Sequence, residues 1–223
     1  MKVIITAATS SEWMATYEKL NQLNIAENLP INIDFCLTGV GILSSAVALT
    51  TLAINHQPDL IIQMGISGAF NDVIPLGKVV IVENEMLGDL GVEENGTWKD
   101  LFDLNLVTLN TPPFNNGKLS NPWLQKFNLL ELKKVNAITV NQISTNAENI
   151  KRITNKYQPE LESMEGASLH YIALKMGIPF LQIRGVSNYV GERDKTKWFI
   201  KESISNLNQT VIKYIEQLIK LNA

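Results

Sequence analysis

The chain has 223 residues, of which 45% are hydrophobic and 18% charged, with Lys+Arg 19 against Asp+Glu 22 and a formal net charge of −3. That apolar share supports a sizeable core and excludes a disordered chain, and the acidic excess excludes a coat for nucleic-acid phosphates. One elaborated α/β domain over 1–223 is the expectation from the length.

Cys36 is the only cysteine, so neither an internal disulfide nor a thiolate zinc site can form, which suits a reducing, cytoplasmic setting. No apolar run reaches the roughly 18 residues that cross a bilayer, and no membrane partner is expected. Residues 1–8 hold a single Lys and a short apolar stretch, and they read as a first strand instead of a signal peptide.

Apolar runs fit for strands buried on both faces alternate with helical patterns along the chain. Strands are predicted over 2–8, 31–37, 60–64, 78–86, 136–140 and 180–186. Helices are predicted over 11–23, 42–55, 146–157, 165–176 and 195–221. Gly177 and Pro179 end the fourth helix. The last helix carries Ile200, Ile204, Leu207, Val211, Ile215 and Leu218 at helical spacing. The stretch 88–128 holds Gly91, Gly96, Pro112, Pro113, Gly117 and Pro122 and reads as loops around a short strand at 104–109. This alternation predicts a mostly parallel sheet covered by helices.

Two glycine-rich turns follow strands. Thr38-Gly39-Val40-Gly41 is short of a dinucleotide fingerprint: Ser44 stands at the third glycine position, and Asp59 precedes a strand instead of ending one. A nicotinamide cofactor is therefore not expected. Gly65-Ile66-Ser67-Gly68-Ala69-Phe70 reads as a turn at the carboxyl end of its strand, where parallel sheets bind ligands. Glu12 follows strand one and suits a first-turn dipole partner, and Glu165 lies where a strand becomes a helix. A carboxylate there can cap the helix or take two hydrogen bonds from a vicinal diol. Arg184 interrupts an apolar strand, a costly place for an unpaired charge, and Asn188 lies just past that strand's end. His56 and His170 are isolated, so no metal is expected.

In order, the acid after strand one, the Gly-x-Gly turn, the Gly-x-x-Gly turn, Met164-Glu165-Gly166-Ala167 and Arg184-x-x-Ser187-Asn188 resemble the nucleoside phosphorylase and nucleosidase superfamily over nearly the whole chain. Within it, residues 187–198 resemble the futalosine hydrolases, which release hypoxanthine from futalosine in a route to menaquinone. The resemblance implies a three-layer αβα fold on a mostly parallel, twisted mixed sheet. It also implies a small nucleoside as substrate, no cofactor, and a homodimer. It assigns water activation to Glu12, with Arg184 beside that water. Met164 would pack on the sugar, Glu165 would take its 2′- and 3′-hydroxyls, and Ser67 and Gly68 would lie beside sugar and base. The loop 141–146 falls where the superfamily wraps the base, with its contacts left open.

Asn188 stands where the methylthioadenosine/S-adenosylhomocysteine nucleosidases have Asp. Hypoxanthine presents acceptors at O6 and N7, which an amide NH₂ suits and a carboxylate repels, so Asn188 argues for a 6-oxopurine. Inosine would suit it equally. Phosphorylases of the superfamily hold phosphate with arginines in the first half of the chain, whereas the first Arg here is Arg152 and residues 65–70 carry no cation. Water is therefore the expected nucleophile. Arg193, Lys195 and Lys197 are either partners for the benzoate end of futalosine or a solvated charge run. The rival classes are another purine nucleosidase or phosphorylase, and a non-catalytic nucleoside-binding protein on the same fold.

Overall fold

A computed structural model describes residues 1–26 and 30–222. Strand β1 (Lys2–Ala7) leads into α1 (Ser10–Ala26), then β2 (Asn32–Leu37), α2 (Ile42–His56) and β3 (Leu60–Ala69). Next come β4 (Val79–Leu87), the hairpin β5 (Gly91–Glu94) and β6 (Thr97–Asp100), the short β7 (Leu119–Ser120) and α3 (Leu124–Phe127). The chain closes with β8 (Lys134–Thr139), α4 (Ala147–Tyr157), β9 (Leu161–Ser163), α5 (Gly166–Met176), β10 (Phe180–Tyr189) and α6 (Ile200–Asn222).

The expected three-layer αβα architecture is present. Helices α1 and α6 pack on one face, where Trp13, Leu20, Leu207, Val211 and Ile215 meet Ile5, Ile62 and Ile183 of the sheet. Helices α2 and α5 cover the other, through Leu49, Leu52, Leu169 and Ala173 against Ile4, Ile61 and Phe180. Among the described residues, no helix is long and apolar enough to cross a membrane.

Strands β2, β1 and β3 form a parallel sheet, and β3 then pairs on two sides at once. It runs parallel to β10 over most of its length and antiparallel to β9 at Gly68 and Ala69. Because β10 pairs with β4, β4 with β8 and β8 with β9, the five strands close into a ring. Closure leaves β2 as the outer edge of the sheet and brings the carboxyl ends of β3 and β10 together with β9.

Three expectations need correction. Residues 65–70 are not a turn: β3 continues to Ala69, since the ring partner β9 and the lengthened β10 supply hydrogen bonds for those extra residues. No strand forms at 104–109. The Asp100 carboxylate instead caps the N–H groups of Phe102 and Asp103, and Asn105 adopts a positive φ of 55°. Those two features wind the segment into turns, and strand pairing occurs earlier, in the β5–β6 hairpin. Finally, the last helix begins at Ile200 instead of residue 195. Asp194 caps a short 3₁₀ turn over Lys195–Lys197, and Trp198 is extended (φ −89°, ψ 135°).

Candidate functional site

A cavity of about 310 Å³ opens where β1, β3, β9 and β10 end, roofed by residues 187–204. Glu12, Ser67, Gly68, Met164, Glu165 and Asn188 all line it, although they come from four separate stretches of chain. Arg184 does not line the cavity; it lies beneath the floor, 2% exposed.

Glu12 sits in the first turn of α1. Its Oε2 accepts from the Thr9 backbone N–H (3.0 Å) and hydroxyl (3.1 Å), a reach back to the residue before the helix in the manner of a capping box. Its Oε1 accepts from the Ile66 N–H of β3 at 3.1 Å, which ties the acid to the cavity wall. From the other side, Asn208 of α6 donates to the Glu12 carbonyl (2.8 Å) while accepting from Thr16 N–H (2.8 Å) and Oγ1 (2.7 Å). Acid and helix turn are fixed from three directions.

Glu165 precedes α5 but caps nothing there; its Oε1 accepts from the Gly41 N–H at the start of α2, at 3.1 Å. Gly41 has φ 88°, a backbone that only glycine adopts without strain, so the first glycine turn serves this carboxylate directly.

Arg184 meets Glu165 and not Glu12: its Nη1 lies 3.8 Å from Glu165 Oε2. Its Nη2 donates to Gln63 Oε1 at 2.8 Å and its Nη1 to the Ile66 carbonyl at 3.5 Å. Its register partner on β3 is Gly65, and a Cβ there would lie under 3.0 Å from the guanidinium. Gly65 is thus the recess in which the charge lies.

Asn188 has a fixed orientation. Its Oδ1 accepts from the Ser187 hydroxyl (2.9 Å) and its Nδ2 donates to the Tyr189 carbonyl (3.1 Å), which leaves one amide hydrogen for the cavity. The hydroxyl of Ser67 is buried without a hydrogen-bond partner among the described residues.

Ile143 of the loop 141–146 and Val190 and Trp198 of the segment 187–198 also line the cavity, as does Glu162, which carried no signal in the sequence. Trp198 donates its indole N–H to the Glu192 carbonyl (3.1 Å) and lies 5.5 Å under the Arg193 guanidinium. Lys197 is taken up by Glu192 at 2.8 Å. Lys78 lines a different depression, between β4 and α6.

Behind the site runs a buried polar layer. Glu85 of β4 is fully buried, and desolvation pushes its carboxyl up to about 7 against the opposing effects of Gln182, Arg184, Thr139 and the Met86 N–H. It accepts from Thr139 Oγ1 at 3.0 Å, and Thr139 in turn accepts from the Ala167 N–H at 2.8 Å, which anchors the start of α5. His170, equally buried, has Nδ1 2.7 Å from the Leu119 carbonyl, and burial holds its ring down at about 4.

The family described as "Phosphorylase superfamily" matches residues 33–220. The chain belongs to it. Among members of the superfamily, the futalosine hydrolase of Thermus thermophilus is 29% identical over 185 residues, covering 78% of this chain and 77% of that protein. The futalosine hydrolase of Streptomyces coelicolor is 29% identical over 190 residues, covering 82% of this chain and 78% of its own. Among solved structures, the 5′-methylthioadenosine/S-adenosylhomocysteine nucleosidase of Colwellia psychrerythraea, in complex with adenine, superposes with a TM-score of 0.77 at 19% identity over 98% of this chain and 96% of that one. At that identity the likeness shows the fold alone.

Proposed function

We propose that this protein is a purine nucleosidase that hydrolyses the N-glycosidic bond of futalosine and releases hypoxanthine. The observation that carries the reading is the meeting of Glu12, Glu165 and Asn188 around one cavity, each held by the backbone or by a neighbouring side chain. The relatives named futalosine hydrolase support the substrate, and residue 188 supports a 6-oxopurine over adenine.

In this mechanism Glu165 takes the ribose hydroxyls, Met164 packs on the sugar and Ser67 and Gly68 flank sugar and base. Asn188 donates its free amide hydrogen to the acceptor edge of the base. The C1′–N9 bond lengthens, its electron pair leaves with the base, and the sugar acquires oxocarbenium character. Water adds to C1′ while Glu12 takes its proton; the departing base gains a proton from solvent. An amide is a poor proton donor, so Asn188 stabilises charge on the base instead of transferring a proton. Arg184 acts from below by holding Glu165 and the Ile66 carbonyl. Arg193 is the one cation on the described cavity lining, which is too little for a phosphate clamp and favours water as nucleophile. Beside it, Trp198, Ile200 and Ile204 form an apolar wall suited to an aryl carboxylate at the 5′ end, with Arg193 for the carboxylate.

The same reading takes 1–223 as one cytoplasmic nucleosidase domain acting as a homodimer. Support for the dimer comes from Val40, Leu43 and Val47, exposed at 55%, 79% and 62% beside the cavity mouth.

The test is purine release, followed by chromatography, from futalosine, inosine and methylthioadenosine with and without phosphate. Hypoxanthine from futalosine, unchanged by phosphate, is expected. Adenine from methylthioadenosine or a phosphate requirement overturns the assignment. Nucleoside binding without turnover supports the sensor class.

A further inference from the structure

The cavity holds a carboxylate that the mechanism above leaves unused. Glu162 of β9 lies directly opposite Gly68 of β3, and Gly68 is in turn the register partner of Asn188 on β10. Residues paired across neighbouring strands project to the same face. Glu162 and Asn188 therefore flank a slot about 10 Å wide, two strand spacings, with side-chain-free Gly68 as its floor. A Cβ at Gly68 would lie 3.3 Å from Asn188 Nδ2 and 3.1 Å from Val190 Cγ2, so the slot depends on glycine.

Glu162 is only 6% exposed. Its Oε1 accepts from the Ser144 N–H at 3.0 Å, whereas Oε2 is buried with no hydrogen-bond partner among the described residues. A carboxylate oxygen left without a donor in a buried site is costly, and a ligand N–H would complete it.

We propose that Glu162 is a specificity-determining residue for the base: its Oε2 accepts the ring N1–H of a 6-oxopurine while Asn188 donates to the O6/N7 edge. The proposal deepens the nucleosidase reading and rests on it. A 6-oxopurine offers one N–H and two acceptors along that edge, matching one acceptor and one donor across the slot. Adenine presents a lone pair at N1 and an amino group at position 6, so it opposes both residues at once. Burial raises the Glu162 carboxyl, and the Ser144 contacts oppose that; the lactam N–H would be one more donor favouring the ionised form.

Glu162→Gln tests this without emptying the site, because the amide oxygen keeps the Ser144 N–H and turns an NH₂ toward the base. Binding of hypoxanthine, 1-methylhypoxanthine and adenine is measured by calorimetry on the wild type and the variant, with thermal melting as the folding check. The wild type should favour hypoxanthine over the 1-methyl base by roughly 10- to 100-fold, the scale of a hydrogen bond to a charged group. The variant should lose that preference and shift the hypoxanthine-to-adenine ratio at least about 10-fold toward adenine. Equal wild-type binding of the two hypoxanthines, no hypoxanthine binding at all, or an unchanged ratio in a folded variant overturns the proposal. If the variant does not fold, the wild-type comparison decides alone. Failure of the nucleosidase reading shows separately, as absence of hypoxanthine release from any nucleoside by a wild type that still discriminates the free bases.

Discussion

Gly65→Ala is the smallest substitution that should disable the site while leaving its ionisable groups in place. Gly65 has no positive φ, so an alanine there meets no backbone penalty, and its whole effect is steric. The new methyl would lie under 3.0 Å from Arg184 Nη1 and 3.0 Å from Glu12 Oε1. Arg184 cannot swing away into solvent: it is 2% exposed and already committed to Gln63, Ile66 and Glu165. Overpacking costs about 1–3 kcal/mol, and forcing a buried cation off its acceptors adds up to about 3–5 kcal/mol. We expect a loss of about 3 kcal/mol or more, a fall in Tm of roughly 6–12 °C for a chain of this size. Displacing Glu12 by a fraction of an ångström should also cost about 10²-fold in kcat. Gly96→Ala is the matched control, with open space around it but φ 74°, so it should cost only about 1–2 kcal/mol of backbone strain and leave kcat unchanged. Urea unfolding and initial rates on both variants decide the matter. A Gly65→Ala protein with wild-type Tm and kcat would refute the packing argument.

Three further outcomes follow from the same geometry. Glu12→Gln should lower kcat by about 10²-fold or more while ligand Kd stays within a few-fold, since the residue acts on water and not on the nucleoside; a matching loss of affinity would remove it from the role of base. Asn208→Ala leaves the buried Thr16 hydroxyl without its acceptor and unties the Glu12 turn of α1 from α6, and should cost about 1–3 kcal/mol, with kcat falling more than KM rises; an unchanged urea midpoint contradicts this. Glu85 is raised from 4.5 to about 7 in the fold, so it binds a proton that the unfolded chain has released, and its contribution falls as pH rises from 4.5 to 7, by about 3 kcal/mol. His170 is lowered from 6.5 to about 4, so its contribution is complete above 6.5 and is lost as pH falls toward 4. The two limbs oppose each other in the wild type. Glu85→Gln should remove the first and leave stability rising with pH between about 4 and 6.5; superimposable profiles of wild type and variant would contradict the Glu85 assignment.

The αβα layering was legible because long apolar runs and helical spacing report burial directly. Glu12, Glu165 and Asn188 were legible because each follows a strand or opens a helix in a recognisable order. The strand end at Ala69 was not, since Gly65 and Gly68 read as turn residues until partners on both sides appear. β9 was unreadable for a similar reason: three residues carry no periodicity, and Glu162 gains its meaning only from the rung it shares with Gly68 and Asn188. Contacts set by ring closure leave no mark on local pattern.

Ring closure also explains the strand that sequence alone makes hardest to interpret. In β10, Leu181 and Ile183 alternate with Gln182 and Arg184, a pattern that ordinarily means one face in water. Here both faces are covered: Leu181 and Ile183 pack against α1 and α6, while Gln182 and Arg184 face the polar layer of Gln63, Glu85, Thr139 and His170. A buried cation with only neutral neighbours would be expensive, and this one lies within 3.8 Å of the carboxylate that accepts from the Gly41 N–H. The interior charge and the cavity acid therefore stabilise each other through a contact that exists only because β3 offers glycine at register position 65. Folding the ring and positioning Glu165 are, in this molecule, the same act.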